Sequence, residues 1–395
     1  MSALQVLTTA AEIDRVIAAL ALTDAVAFDT EFHSERTYVP RLMLMQLATR
    51  DAIFLIDPLD GADLRPLFAA MARPGLVVVG HALKNDLRIV WMLHEMLLNE
   101  VFDTQIAAAF LGHGLQIGLS GLLQHVCGVH QPKGDQMADW SQRPLPERLL
   151  GYAAGDVRHL LAVYDLLREQ LQAAGRLAWA LQECAELTAA DRYARDPDAA
   201  YLKVAGQRRF EPREAGVLFA LVQERDAIAL QEDIVPHFLL PDDTLLLLAR
   251  QAPKKRADLE GDRRFQQRGV QRYAQRFCDA VERGLQQPFH RPPGRPPPPP
   301  ELEAVTALLM LQVNEIATEH SIAPQLLVKR DTLTNALRQG HASEQAFISA
   351  CELSGWRAEL LQAPLWALLT GKTQVVCERG GAAGVRLAFL PGFRL

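Results

Sequence analysis

Apolar and polar positions follow two different rhythms along the chain. Between residues 25 and 59 three short β-rich runs, AVAFDTEF, RLMLMQLATR and AIFLIDPL, are separated by polar stretches of turn length, a pattern that predicts an antiparallel meander. A fourth run, GLVVVGHA, leads straight into KNDLRIVWMLHEML, where apolar residues recur at helical spacing. From Thr104 to about Gln182 the pattern is mainly helical, interrupted by the irregular stretch GVHQPKGDQMADWSQRPLP. Strands followed by helices predict an α/β fold, a mixed sheet with flanking helices.

Beyond a polar, Asp- and Arg-rich section at residues 183–206, a helical region runs to about residue 288 and ends in PFHRPPGRPPPPP. Proline removes helix donors and favours extended backbone, so this run is read as a semi-rigid spacer. A repeat spans it. With Pro236 set on Pro324, an offset of 88, Ile234 falls on Ile322, and Asp243, Thr244 and Leu245 fall on Asp331, Thr332 and Leu333. Both copies read as a helix, an I-x-P break and a helix start capped by Asp. The expected organisation is an α/β unit at 1–185, a linker at 186–206, a first all-α module at 207–288, a proline-rich linker at 289–300 and a second, related module at 301–395.

Composition narrows the setting. A chain of 395 residues, 22% charged and nearly half apolar, holds more than one core. Its five cysteines form an odd set without CxxC or zinc-like spacing, which favours a reducing, cytoplasmic location. No apolar run reaches membrane-spanning length, so no membrane partner is expected, and a monomer is anticipated. The net charge of −6 is unevenly spread: residues 1–200 carry −9, residues 201–290 carry +2 and residues 291–395 carry +1. An acid-rich first half suits divalent cations, and a locally basic second part suits a polyanion. The basic clusters are Lys203, Arg208 and Arg209, and then Arg250, Lys254, Lys255 and Arg256.

The candidate chemistry lies in the first strand. Asp29 and Glu31 stand at i and i+2 and therefore share a face; two such anions repel each other unless a cation joins them. Asp86 opens the helix after GLVVVGHA, where a dipole-stabilising acid is the plain alternative. In GYAAGDVRHLL, Tyr152 and Asp156 stand at i and i+4 on one helical face. His81 reads better as a core histidine than as a catalytic group, Phe32 is either a site residue or core, and Asp103 is expected to cap the helix that follows it.

The order DTE, then H-x-x-x-x-D from His81 to Asp86, then Y-x-x-x-D resembles the tyrosine-bearing branch of the DEDD exonuclease superfamily. Together with LMQLA, IDPL, FDTQIAAAFLG and DWSQRPLPERLLGYAAGDVRHLL, it resembles the ribonuclease D family over about residues 5–185, and the C-terminal repeats resemble HRDC modules, more closely in the first copy. The resemblance implies an RNase H-like fold in which Asp29, Glu31, Asp86 and Asp156 hold two Mg²⁺ or Mn²⁺ ions, Tyr152 orients the attacking water, and Thr30 and Phe32 contact substrate. The implied activity is 3′→5′ exonucleolytic hydrolysis of RNA, with tRNA precursors and other structured RNA 3′ ends as substrates. A DNA exonuclease of the same superfamily and a non-catalytic RNA-binding scaffold are the alternatives; the scaffold's expected mark, loss of a ligand carboxylate, is absent.

Overall fold

A computed structural model describes residues 5–59, 61–131, 134, 138–206, 208, 210–260, 263–286, 298–379 and 385–391. Six strands make one mixed sheet: β1 (Val6–Leu7), β2 (Ala25–His33), β3 (Arg41–Ala48), β4 (Ile53–Ile56), β5 (Val77–Gly80) and β6 (Glu100–Asp103). They lie in the order β1-β4-β3-β2-β5-β6. β2, β3 and β4 form the antiparallel meander, β5 lies parallel to β2, and β6 lies parallel to β5. The sequence pattern did not reveal β1 and β6: β1 is two residues long, and β6 has only Val101 and Phe102 between two acids.

Alternation along β2 divides the core in two. Ala25 and Ala27 face a cluster containing Phe102, Leu160, Val163 and Leu167, while Val26 and Phe28 face Val16, Leu20, Phe68 and Val78. Helices therefore cover both sides, and β3 is buried without a break from Leu42 to Ala48, as a strand covered on both faces must be.

The repeat offset of 88 holds element by element. The helix Pro212–Gln231 maps onto Pro300–Glu319, Pro236–Leu239 onto Pro324–Leu327, and Asp242–Gln251 onto Arg330–Gln339. Even the left-handed residue before each break is matched, Asp233 at φ 49° and Ser321 at φ 48°. The expected caps are corrected. The third helices begin at Asp242 and Arg330, behind Pro241 and Lys329 that make no side-chain capping bond, so Asp243 and Asp331 sit inside the first turn, where their charge complements the helix dipole.

Within the stretch expected to be a linker, Pro197–Ala205 forms a helix whose Tyr201, Val204 and Ala205 are buried in the first module's core. Its buried residues follow helical spacing, but the Asp- and Arg-rich run just before them, DRYARDPD, hides the helix in the sequence. Residues 289–297 of the proline-rich run, and Arg209 of the first basic cluster, lie outside the described residues; Pro300 already opens a helix. After the second module's helices comes an unanticipated hairpin, β7 (Thr373–Arg379) with β8 (Val385–Pro391), whose Val375 and Phe389 pack on the same core as the module. Among the described residues no helix is long and apolar enough to cross a membrane.

The second module shares its core with the α/β unit: Phe110, Leu160 and Ala180 belong to one apolar cluster with Leu309, Leu327, Trp356 and Leu361. The first module has a core of its own, against which the α/β unit places the half-buried ring of Tyr38.

Candidate active site

Asp29 and Glu31 project from β2 just before a register shift between Glu31 and Phe32, an irregularity that re-aims side chains locally. The helix Glu147–Arg158 crosses over this strand and supplies Asp156. Arg143 ties the segment before that helix to the sheet: its Nη2 donates to Asp57 Oδ1 at 2.8 Å and to the Met43 carbonyl at 2.7 Å. As a result one carboxylate oxygen from each of Asp29, Glu31 and Asp156 lies within 4.8 Å of the other two.

Asp86 reaches the site from the next strand. At the end of β5, a Cβ added to Gly80 would stand 2.9 Å from the Phe28 carbonyl and still closer to Leu83, so glycine permits the tight approach of β5 to β2. The turn continues through Ala82 at φ 61°. Asp103 holds it, accepting the Ala82 and Leu83 amides at 3.0 and 2.9 Å while also capping the helix Thr104–Ala109. The capping role expected for Asp103 is thus present, together with a second role that the sequence did not show. The helix Lys84–His94 then turns Asp86 inward, 7% exposed, where the Thr30 hydroxyl donates to it. Asp86 is not one of the three acids within 4.8 Å, but its charge acts on both Asp29 and Glu31.

The electrostatics follow from crowding acids in a half-buried place. Burial pushes Asp29 well above the usual carboxylate range, and Asp86, Asp156 and Glu31 push it further. Burial, with Asp156 and Asp86, raises Glu31 to about 8. Asp86 rises to about 7 by burial against the opposing Thr30 bond. Asp156 rises to about 6 by burial, although Gln131 and Tyr152 both hydrogen bond to it. Four acids that resist ionisation together form a set that a hard cation, with its preference for oxygen ligands, would relieve.

The remaining predicted residues divide. Tyr152 stands one turn before Asp156 with its ring 6.1 Å from that of Trp140. Thr30 is 7% exposed and its hydroxyl is given to Asp86. Phe32 is half-buried and packs against the core. His81 is partly buried and has both ring nitrogens engaged, at 2.9 Å from Thr104 Oγ1 and 2.9 Å from the Ile117 carbonyl, and burial lowers its pKa. Of the basic clusters, Arg250 pairs with Glu214 at 3.1 Å and Arg256 with Glu260 at 2.6 Å.

Two glutamines escaped the sequence reading. Gln131 Nε2 donates to Asp156 Oδ1 at 2.8 Å. Gln46 lies directly across from Asp29 on β3, fully buried, with both amide atoms lacking a partner among the described residues. A polar residue inside an apolar run was the available signal, and only burial gives it meaning.

Comparison with known proteins gives this arrangement its class. A family described as 3′-5′ exonuclease matches residues 4–172, and the HRDC domain family matches residues 214–281, so the molecule is an exonuclease joined to an HRDC module. Ribonuclease D of Gluconacetobacter diazotrophicus is 33% identical over 98% of this chain and 96% of its own length, and that of Bartonella henselae is 33% identical over 95% and 93%. The chain belongs to the ribonuclease D family and is a 3′→5′ exoribonuclease. Its fold agrees: the crystal structure of Escherichia coli RNase D superposes with a TM-score of 0.78 at 27% identity, covering 93% of this chain and 98% of that one. The catalytic core of RRP6 from Trypanosoma brucei superposes with 0.56 at 25% identity over 72% and 80%.

Proposed function

We propose that Asp29, Glu31, Asp86 and Asp156 hold two divalent cations, Mg²⁺ or Mn²⁺, with which the enzyme hydrolyses RNA one nucleotide at a time from the 3′ end. The clustering of Asp29, Glu31 and Asp156 within 4.8 Å carries this reading, because crowding three acids in a partly buried place is costly and a hard cation relieves it. Two bound cations supply stabilisation of the attacking and leaving oxygens of an in-line displacement and acidify a water. The chain's own residues prepare the site. Thr30 fixes Asp86, Gln131 fixes Asp156, and the Tyr152 hydroxyl orients the attacking water; an unperturbed phenol titrates near 10 and is a poor base at neutral pH.

The RNA substrate follows from the family, and tRNA precursors are the proposed class; the Escherichia coli relative is described as an exoribonuclease involved in structured RNA processing. The five cysteines are free, which supports a cytoplasmic setting. The second module covers an apolar face of the nuclease within one chain, which supports a monomer.

The test is digestion of matched end-labelled RNA and DNA oligomers with Mg²⁺, with Mn²⁺ and with chelator. Single-nucleotide release from RNA, its loss in chelator and its near abolition in Asp29→Asn are expected. Tyr152→Phe should slow single-turnover cleavage about 10²- to 10⁴-fold while metal affinity persists. Near wild-type turnover of Asp29→Asn, or equal cleavage in chelator, would sink the metal reading, and faster cleavage of DNA would favour the deoxyribonuclease alternative.

A further inference from the structure

Of the four site acids, Asp86 lies on the helix Lys84–His94, on its buried side. The opposite side lines a cleft of about 610 Å³, shared with the segment Arg192–Asp196 and with Asp226 and Leu230 of the first module. Lys84, Arg88 and Trp91 are spaced four and three apart, so they share the cleft-facing side, whereas Asp86 stands about 200° away from both cations. From the β2–β3 connection comes Tyr38, with the Arg195 guanidinium 5.4 Å from its ring centre. Tyr193 lines the same cleft, with its hydroxyl donating to the Leu187 carbonyl at 2.6 Å.

This charge is available in a way that part of the first module's charge is not. There, Arg250 pairs with Glu214, Arg272 with Glu232, and Arg276 and Arg283 with Glu224, whereas among the described residues no ion pair within 4 Å engages Lys84, Arg88 or Arg195. The acids at the cleft are partly occupied. Asp196 accepts the Asp198 and Ala199 amides as a helix cap, Asp226 lies 3.9 Å from Arg225, and Glu95 is exposed at the far end of the helix. Cations interleaved with aromatic rings are the chemistry that holds single strands without reading sequence, phosphates on the charges and bases on the rings. The volume suits roughly one or two nucleotide units.

We propose that this cleft is a second RNA-holding site, which takes the single strand upstream of the 3′ end being trimmed. Lys84, Arg88 and Arg195 contact phosphates, and Tyr38 and Trp91 carry bases. The wall formed by the first module meets the neighbouring 36–39 segment through the Val39 amide on Asp233, at 3.0 Å, and the Val235 amide on the Arg36 carbonyl, at 3.4 Å, so a strand laid in the cleft would also tie the module to the nuclease.

The proposal rests on the RNA-trimming reading, and binding without hydrolysis separates the two. Full-length protein in chelator is titrated with labelled oligoribonucleotides of increasing length over a range of salt. Affinity should climb with length in the wild type. In Lys84→Ala/Arg88→Ala the gain should disappear, and the slope of affinity against salt should fall by roughly one per lost phosphate contact. Trp91→Ala should weaken binding of the longer RNA by about tenfold, and Arg15→Ala, on the first helix, should change nothing. As a check independent of any variant, 4-thiouridine oligomers should crosslink to Tyr38, Trp91 or Tyr193. Wild-type length dependence in the double variant, or crosslinks that all fall outside the cleft, would overturn the proposal. A cleft that binds adenosine monophosphate and loses it in the double variant, while the length gain persists, would be a nucleotide site, and the RNA assignment would fall.

Discussion

The two helical modules repeat the same opening, a twenty-residue helix, a left-handed residue, a proline-led turn and a third helix, and both turn the same place toward the nuclease. In the first, the Val235 amide donates to the Arg36 carbonyl; in the second, the equivalent Ala323 amide donates to the Ala109 carbonyl. What surrounds that bond differs. Around Ala323 the contact is aromatic and apolar: the Trp356 ring stacks at 5.2 Å on Trp179 and meets Phe110 edge-on at 5.1 Å, and Arg357 Nη2 donates to Glu183 Oε2 at 2.6 Å. Around Val235 it is polar, and Phe238 is left 64% exposed where the equivalent Leu326 is 7% exposed. One docking geometry therefore serves two ends. Desolvated aromatic area makes the second module part of the nuclease body, while a few hydrogen bonds to water-accessible groups leave the first module a separate unit.

The largest effect should come from breaking the apolar contact. Trp356→Ala removes a ring that is 2% exposed between two others and should cost about 3–5 kcal/mol. Denaturant unfolding followed by hydrogen exchange should show the nuclease and the second module losing stability together, with the first module's amides little changed. Independent loss of the second module alone would mean that the shared core is only contact. The same continuity warns against removing everything after residue 206, since that cut would expose the nuclease face that Trp356 covers.

A smaller effect should distinguish the same two bodies by pH. Glu31 at about 8, Asp86 at about 7 and Asp156 at about 6 hold their protons more tightly folded than unfolded. Between the unfolded values near 4 and these folded values, unfolding releases protons, so the metal-free nuclease body should lose stability as pH rises. Counting Asp86 alone, the expected loss from pH 5 to pH 8 is about 2–3 kcal/mol, reversed by Mg²⁺. Thermal unfolding at both pH values, with and without the ion, measures it. A metal-free body as stable at pH 8 as at pH 5 would show that the acids are already relieved by the protein itself.

What the sequence made legible follows the same division between local and distant causes. The meander, the helix of Asp86 and the shared face of Tyr152 and Asp156 are written in periods of two and 3.6, and the pairing of Asp29 with Glu31 needs nothing beyond a strand. The repeat was visible because the I-x-P break imposes the same backbone twice. By contrast, an apolar stripe on a helix says that something will cover it and not what, so the fusion of the second module with the nuclease could not be read. Gln46 and Gln131 look like solvent-facing polar residues until β3 is sandwiched and the irregular stretch folds back on Asp156. Asp103 was legible as a cap because that bond is local, while its hold on the Ala82 turn crosses 21 residues.

The smallest effect isolates one bond of the comparison. Asp233 and Ser321 occupy equivalent left-handed positions at φ 49° and 48°, a conformation that costs a non-glycine residue about 1 kcal/mol. Replacing either by glycine removes that strain equally, but Asp233→Gly also deletes the carboxylate that accepts the Val39 amide at 3.0 Å. Ser321→Gly should therefore be neutral or stabilising, since the Gly112 backbone beside it is undisturbed, whereas Asp233→Gly should fall below it by about 0.5–1.5 kcal/mol. The two variants are compared by denaturant midpoints at equal slope, with exchange at the Val39 amide as the local readout. A difference of that size, together with faster exchange at Val39, would assign the first module's attachment to polar bonds that open without disturbing its core. Equal midpoints with Val39 still protected would mean that the module is held by something other than the Asp233 carboxylate, and Tyr38, which packs on that module's core, would be the side chain to change next.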